Sequence, residues 1–524
     1  MSTTTTASPA TTQTPDGWPD TALRTAFWAY ERALMSDDVP ALDALFAPGA
    51  ETLRSDADAT TVGHAHIAAF RAGRGGAPAR HLLRVHVRDL GDHALVVAEN
   101  ERIAGGTGVQ TQVWQRGGRG WQVIAAHVSG APETPRVTDP AALTDPTIWR
   151  VAPGTKPLAE GTPGGPLAGA SVAVKDLFAV GGHRIGAGTP AWLETAPVQP
   201  DHAGAVTLLL EAGADVIGLA HTDELAFSLA GTNSHYGTPP NAAAPGHITG
   251  GSTSGPAAAV AAGVATIGLG TDTAGSIRVP AAYCGLYGLR TTHDAVPRDG
   301  LVGLATSFDT AGLLTRDLDM LRTAARALVP PAPAALTAVA VAPALFDLAD
   351  EETRLATLAA VRALDHPVHT AAIDPDALDT WFAAFRTVQQ AEAWELHGDF
   401  VTAHADTLEP AVRERFRAGA TTDPADVSAA RRTLTDARDR LLDLLDGAAL
   451  ALPTTSAPAP RRDADATEIA HTRAGTLRLT CLASLAGLPQ VSAPLPRVGP
   501  LPAGLGLIGP PGADLALLDL LENR

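Results

Sequence analysis

The sequence has little of what nucleic-acid-binding, membrane-spanning and disulfide-stabilised proteins need. Its formal net charge is −18 at pH 7, so we expect neither nucleic acid nor an anionic membrane surface as a partner. No apolar run approaches the roughly 18 residues of a membrane span. Two cysteines, Cys284 and Cys481, are too few for a disulfide framework or a zinc cluster. Because the first residues also lack a signal-peptide pattern, we expect a cytoplasmic protein.

The chain is long: 524 residues are more than one hydrophobic core usually contains, which predicts two or more domains. Residues 1–17, rich in Thr, Ala, Ser and Pro, are typical of a disordered tail. Over 18–130, two helical patterns precede four alternating strand patterns, which predicts a small α+β domain. The Pro- and Gly-rich stretch 131–165 predicts a linker, in which 148–151 could anchor the next domain. Residues 166–524 alternate strand and helix patterns and predict an α/β domain with a mixed sheet.

Two patterns in this last stretch bear on the candidate site. Residues 264–270 form an almost wholly apolar run, which predicts a strand buried in the middle of the sheet. Residues 314–328 have helical spacing and predict a helix.

A glycine-rich loop follows the buried strand and ends at Ser276. Its small residues allow backbone N–H groups to point at one spot, an arrangement that suits an oxyanion hole. The candidate donors are the N–H groups of Thr273, Ala274, Gly275 and Ser276. A purely structural turn is the alternative.

A second serine and a lysine complete the candidate chemistry. Ser252 lies in Gly250–Gly255 directly before a predicted helix, where Ser252 or Ser254 could instead be a helix N-cap. The loop lacks the Gly-Lys-Ser/Thr ending of a phosphate-binding loop. Lys175 follows a mostly apolar run, so we expect partial burial and a lowered pKa, which suit a general base. A lysine at the exposed end of a strand is the alternative.

Taken together, Lys175, Gly-Gly-Ser252 and the segment 270–280 resemble the amidase signature family, over about residues 167–509. The resemblance implies a mixed sheet covered by helices and hydrolysis of a small carboxamide or urea-like C–N bond, with release of ammonia or an amine. Ser276 is then the nucleophile that forms an acyl-enzyme, Ser252 a bridging serine after a cis peptide bond, and Lys175 the base. The family requires no metal or organic cofactor.

The chain departs from the family pattern at two positions near the nucleophile. Thr253 stands where the family usually has serine, and Ala274-Gly275 stands where it has two glycines. We expect Thr253, Asp272 and Arg278 to support the loop, the last two through charge-assisted hydrogen bonds.

The segment 18–130 resembles NTF2-like or SnoaL-like cone domains, and more closely a small dicarboxyurea-hydrolase family of the cyanuric-acid pathway. This resemblance favours a urea-like substrate such as carboxybiuret, biuret or allophanate, and a homodimer formed through this domain. It also implies a pocket in which Tyr30 and Arg54 could hold a carboxylate, the alternative being a core-edge tyrosine and a surface arginine. The residues that carry the resemblance are 27–34, 52–54, 68–74 and 121–129.

Other readings stay open. The chain could be the glutaminase subunit of an amidotransferase that works with partner subunits, its N-terminal domain serving only for dimerisation. His64 and His66 lack neighbouring acidic or cysteine ligands, so we predict no metal site there. Cys284 is expected to be a core residue. The residues of the later helices that could face the site are Glu392, Trp394 and His397.

Overall fold

The computed structural model describes residues 2–3, 18, 20–36, 38–55, 60–74, 80–102, 107–129, 139–331 and 335–522. The chain divides into two compact units, Met1–Arg136 and Val137–Arg524, both of which combine helices with a sheet. Within the described ranges, no helix combines the length and the apolarity needed to cross a membrane.

In its described residues, the first unit has three helices and a seven-stranded sheet with the order β1-β4-β5-β6-β7-β2-β3. Its elements are β1 (Ser2–Thr3), α1 (Thr21–Met35), α2 (Val39–Leu45), β2 (Leu53–Ser55), β3 (Thr60–Val62), α3 (His64–Arg74), β4 (Arg80–Asp89), β5 (His93–Arg102), β6 (Thr107–Gly117) and β7 (Gly120–Ser129). Strands β4 to β7 are the predicted antiparallel meander.

Helix α1 of this unit begins where the sequence provides both a cap and an apolar stripe. Asp20 accepts a hydrogen bond from the N–H of Leu23 at 2.7 Å, as an N-cap does. The apolar residues at helical spacing on α1 are Leu23, Phe27, Tyr30 and Leu34, of which the first three are buried and Leu34 is half-buried. Part of the predicted disordered tail is paired, since β1 lies antiparallel to β4, and residues 4–17 lie outside the described residues.

The second unit is built on an eleven-stranded mixed sheet. Its elements are β8 (Trp149–Val151), β9 (Ser171–Lys175), α4 (Pro190–Thr195), α5 (Gly204–Glu211), β10 (Asp215–Ala220), α6 (Ser254–Ala261), β11 (Ile267–Asp272), α7 (Arg278–Tyr283), β12 (Tyr287–Arg290), β13 (Thr310–Thr315), α8 (Leu318–Leu328), β14 (Ala338–Val341), α9 (Pro343–Phe346), α10 (Glu351–Arg362), β15 (Val368–Thr370), α11 (Pro375–Ala403), α12 (Pro410–Ala420), α13 (Pro424–Leu444), β16 (Ala448–Pro453), α14 (Ala466–Ala486), β17 (Gln490–Ala493), β18 (Arg497–Val498), β19 (Leu501–Pro502), β20 (Leu505–Ile508) and α15 (Asp514–Asp519), with short 3₁₀ helices at Pro140–Leu143 and Glu224–Ala226.

The order of the large sheet is β15-β14-β16-β20-β17-β12-β13-β11-β9-β10-β8. Strands β9, β10 and β11 are parallel, whereas β11 pairs antiparallel with β13. Every residue of β11 and β13 is buried, as expected for strands in the middle of a covered sheet. A two-stranded sheet of β18 and β19 lies outside this order.

Three boundaries differ from the predictions. Residues 139–165, which fall in the predicted linker 131–165, belong to the second unit, since the N–H of Leu158 donates to the Val216 oxygen at 2.7 Å. The possible anchor at 148–151 is confirmed, because β8 pairs with β10. These backbone hydrogen bonds leave no periodic pattern in a Pro- and Gly-rich stretch. The predicted helix over 314–328 begins only at Leu318, since β13 continues to Thr315. The apolar run over 264–270 enters its strand at Ile267.

Candidate active site

Strands β9 and β11 bring the candidate residues to one edge of the large sheet. The two strands are parallel, with Val174 opposite Leu269. Lys175 is the last residue of β9, and Asp272 is the last residue of β11. Because parallel strands end at the same edge of a sheet, the loop that carries Ser276 starts beside Lys175.

Lys175 is completely buried and contacts two hydroxyl groups. Its Nζ lies 2.8 Å from the Oγ of Ser252 and 2.7 Å from the Oγ1 of Thr271. Burial lowers the pKa of Lys175 to about 7, against the attraction of three buried aspartates that favour the ammonium form. The neutral amine is therefore well populated near neutral pH. The three aspartates are Asp223, Asp272 and Asp309.

The loop Gly250–Gly255 directs Ser252 towards Lys175 rather than towards helix α6. The Gly251–Ser252 peptide bond is cis, as the resemblance implies. The helix begins at Ser254 without a side-chain cap, and the Oγ of Ser254 donates instead to the Oδ1 of Asp223 at 3.1 Å. A Cβ at Gly251 would lie 2.4 Å from the Oδ2 of Asp223, so only glycine fits there. The N-cap alternative for these serines is wrong.

Asp272 fixes the shape of the loop that carries Ser276. Its carboxylate accepts hydrogen bonds from the N–H groups of Gly275 and Ile277, at 2.8 and 3.1 Å. It also accepts from the Nε of Arg278 at 2.9 Å and lies 3.3 Å from the Nη1 of Arg290. Burial alone would raise the pKa of Asp272, but the Arg278 and Arg290 guanidinium groups hold it well below its ordinary value.

Contacts across the sequence fix this loop further. Arg278 donates from Nη1 to the backbone oxygen of Thr480 at 2.7 Å, and Thr480 donates from Oγ1 to the backbone oxygen of Ala274 at 2.6 Å. The N–H of Thr253 donates to the backbone oxygen of Ser276 at 3.2 Å. The Ser252 and Ser276 loops are thus hydrogen-bonded to each other and to α14.

Replacing Asp272 with asparagine should reduce the free energy of unfolding by about 3–5 kcal/mol, because two buried guanidinium groups lose their counter-charge. Urea unfolding followed by circular dichroism measures this change. Asp463→Asn is the control, since Asp463 is exposed and pairs with Arg461 at the surface, where ion pairs contribute little. Equal losses in the two variants would contradict the assigned role of Asp272.

A cavity opens at the loop that carries Ser276. Thr273, Ala274 and Ser276 line one part of it, and Gln389 and Arg473 line another. Ser276 is 4% exposed, so a reactant reaches it through this cavity rather than from open solvent.

The structure does not support one of the four predicted oxyanion-hole donors. The N–H of Gly275 donates to Asp272, so the geometry does not support Gly275 as an oxyanion donor. Its φ of 122° requires glycine, and a Cβ there would lie 3.0 Å from the Thr480 side chain. The other three predicted donors belong to residues that line the cavity, and their role stays a prediction.

Comparison with known proteins gives a family match for each of the two units. The family model Amidase matches residues 142–375, and the model AtzH-like matches residues 20–134. Amidase 1 of rice (Oryza sativa subsp. japonica) is 32% identical over 394 residues, which cover 68% of this chain and 90% of that protein. The chain belongs to the amidase family. It is therefore an enzyme that hydrolyses C–N bonds.

Two solved structures are similar to this chain over 68% of its length. One is an inhibitor-bound vestigial protein complex that reveals the evolutionary origins of an s-triazine catabolic enzyme. The matched chain of that complex is 31% identical to this chain, with a TM-score of 0.63. The match covers 68% of this chain and 83% of the other. The other is allophanate hydrolase of Kluyveromyces lactis, 26% identical with a TM-score of 0.61. That match covers 68% of this chain and 61% of the hydrolase chain.

Three buried groups at the amidase site are absent from the sequence-based predictions. Thr271 is the second partner of Lys175. Asp223 accepts from the N–H of Gly231 at 2.9 Å, and Asp309 accepts from the Oγ1 of Thr273 at 2.6 Å. Burial raises the pKa of both aspartates. The available signal was their position. Thr271 lies in β11, Asp309 directly precedes β13, which begins where β11 ends, and Asp223 follows the end of β10 by three residues.

Helix α11 approaches the amidase site differently from the prediction. Glu392 accepts hydrogen bonds from the N–H and the Oγ of Ser307, at 2.9 and 2.6 Å. The Nε2 of His397 lies 2.7 Å from the backbone oxygen of Gly303. These two side chains hold a loop, and the residue of α11 that lines the cavity is Gln389.

Tyr30 and Arg54 are both buried in the first unit, so the alternative of a surface arginine is wrong. The Arg54 guanidinium lies over the Phe70 ring, 4.2 Å from its centroid. The Tyr30 ring meets Trp114 edge to face at 6.2 Å, and burial raises the pKa of its hydroxyl. A carboxylate-binding role for Tyr30 and Arg54, the cone-shaped pocket and the homodimer all stay predictions.

His64 and His66, the two histidines considered as metal ligands, bond to backbone groups instead. His64 lies 3.0 Å from the oxygen of Asp43, and His66 lies 2.9 Å from the oxygen of Val62. Across the described ranges, no three acidic, histidine or cysteine side chains group together as metal ligands would. Cys284 is 2% exposed, which agrees with the predicted core position.

Proposed function

We propose that the second unit hydrolyses a small amide or urea-like C–N bond through an acyl-enzyme on Ser276. The observation that carries this proposal is the 2.8 Å contact between the Nζ of Lys175 and the Oγ of Ser252, in a buried site where burial lowers the lysine pKa to about 7. A neutral lysine amine has one lone pair, which can accept the Ser252 proton. Ser252 belongs to the loop that is hydrogen-bonded to the Ser276 loop.

In the proposed reaction, the Oγ of Ser276 attacks the carbonyl carbon while its proton passes to Ser252 and the Ser252 proton passes to Lys175. The tetrahedral intermediate collapses when the C–N bond breaks, and the relay returns a proton to the departing nitrogen. Water then attacks the acyl ester with the same base assistance, which releases the acid and restores Ser276.

The proposed substrate is a small urea-like amide such as carboxybiuret, biuret or allophanate. Three findings support this class: the similarity to allophanate hydrolase, the similarity to the s-triazine-related complex, and the AtzH-like first unit. Ser276 is 4% exposed and lines a cavity, a position that suits a small ligand better than a polymer.

Ammonia release from allophanate, biuret, malonamide, benzamide and glutamine tests the substrate class. We expect kcat/KM for the small urea-like compounds to exceed that for benzamide by at least about tenfold, because a site that hydrogen-bonds the second polar group of a urea-like compound rejects an analogue that lacks it. A preference for benzamide would contradict the proposed class. Turnover of glutamine above the other amides would favour the amidotransferase alternative.

A further inference from the structure

Arg473 is a cation that the proposed reaction does not use, yet it lines the cavity of Ser276. It lies on α14 and shares the cavity wall with Gln389 of α11. It also lines a second cavity, which has Leu229 in common with the first. Its guanidinium therefore has access to the space in which the substrate would lie.

This arginine has no acidic partner among the described residues. Its Nε is buried and makes no hydrogen bond there, and the charges that act on it are the cations Arg415 and Arg386. The Nε of Arg80 is also unpaired, but Arg80 binds Glu31 through Nη2 at 2.8 Å. Arg473 as a whole is half-buried, but its Nε is buried without a hydrogen-bond partner, which costs free energy. A ligand in the cavity explains this arginine better than a role in folding does.

The surroundings of Arg473 favour an anion. Burial, then Arg415 and Arg386, lower its pKa to about 9, so it stays cationic at neutral pH. Arg415 donates to the backbone oxygen of Phe227, another residue of the cavity wall, and Glu409 partly offsets its charge. This local excess of positive charge occurs in a chain with a net charge of −18.

We propose that Arg473 binds a carboxylate of the substrate, so that this amidase acts on amides that also carry an anionic group. A guanidinium can hold a carboxylate through two parallel hydrogen bonds, and this geometry orients the ligand as well as attracting it. The inference rests on the proposed function, since it assumes that the acyl group is transferred to Ser276 in the same cavity.

The test compares malonamate, which has one amide and one carboxylate, with the neutral diamide malonamide. We expect the wild-type enzyme to prefer malonamate, and Arg473→Met to lower kcat/KM for malonamate by about 100-fold with little change for malonamide. Arg473→Lys should recover part of the loss. Arg478→Met is the matched control on the same helix, since Arg478 pairs with Asp379 at 3.0 Å.

Calorimetric binding of malonate gives a readout that does not depend on turnover. Malonate should bind the wild-type enzyme and lose about 100-fold in affinity in Arg473→Met, whose melting temperature should not fall because it loses an unpaired buried charge. Equal effects on malonamate and malonamide, unchanged malonate binding, or a less stable Met variant would each overturn the inference. Undiminished turnover by Ser276→Ala would instead overturn the proposed function.

Discussion

Replacing Ser276 with alanine should lower kcat for amide hydrolysis by about 10⁵-fold, since no acyl-enzyme can form without the Oγ. Binding of the substrate should change little, because one hydroxyl is removed from a cavity wall that is otherwise intact. Ammonia release measures the rate, and fluorophosphonate labelling with peptide mapping identifies the reactive serine. The label should map to the peptide that contains Ser276 and disappear in the variant.

A serine buried elsewhere provides the control for Ser276→Ala. The Oγ of Ser456 donates to the backbone oxygen of Thr472 at 3.0 Å and lies outside the loop that carries Ser276. Ser456→Ala should keep both the activity and the label. If Ser276→Ala were still labelled and still released ammonia, Ser276 would not be the nucleophile.

Replacing Lys175 with methionine should lower kcat/KM by about 10⁴-fold, because the site loses its only assigned base. The chain offers a matched control in its other lysine, Lys156, which is exposed. Lys156→Met should leave the rate unchanged. An active Lys175→Met variant with a normal pH profile would show that another group accepts the proton.

The pH dependence tests the same residue in the wild-type enzyme. Because burial lowers the pKa of Lys175 to about 7, the amine is protonated and inactive as a base below that pH, and neutral above it. The logarithm of kcat/KM should therefore rise with a slope of about 1 below pH 7 and level off above it. A profile that is flat down to pH 5 would exclude Lys175 as the base.

The residues that supply the proposed chemistry could be predicted because each lies in a short, chemically distinctive stretch. Lys175 follows an apolar strand, and Ser252 and Ser276 lie in glycine-rich loops. The same local patterns predicted the central strands and helix α1. The prediction of Asp272 and Arg278 as supports also agrees with the hydrogen bonds that they form.

Features that depend on distant segments could not be predicted in this way. The N–H of Gly275 looked available in the sequence, and only the folded loop shows that Asp272 accepts from it. Arg473 lies almost 200 residues after Ser276 in a helix without special composition. What distinguishes it is the lack of an acidic neighbour, which only the three-dimensional arrangement shows. The order of residues 152–165 could not be predicted for a similar reason, since their backbone hydrogen bonds leave no pattern in the sequence.

Helix α14 connects the two ends of the proposed substrate site. Thr480 fixes the loop that carries Ser276, and Arg473 lies seven residues, about two turns, earlier on the same helix. A helix of this kind behaves as a rigid rod, so the distance from the anion-binding group to the attacked carbonyl is set by the protein and not by the ligand. The helix thus fixes the distance between the two groups that hold the substrate. It would select substrates by the number of bonds between their carboxylate and the amide that is cleaved.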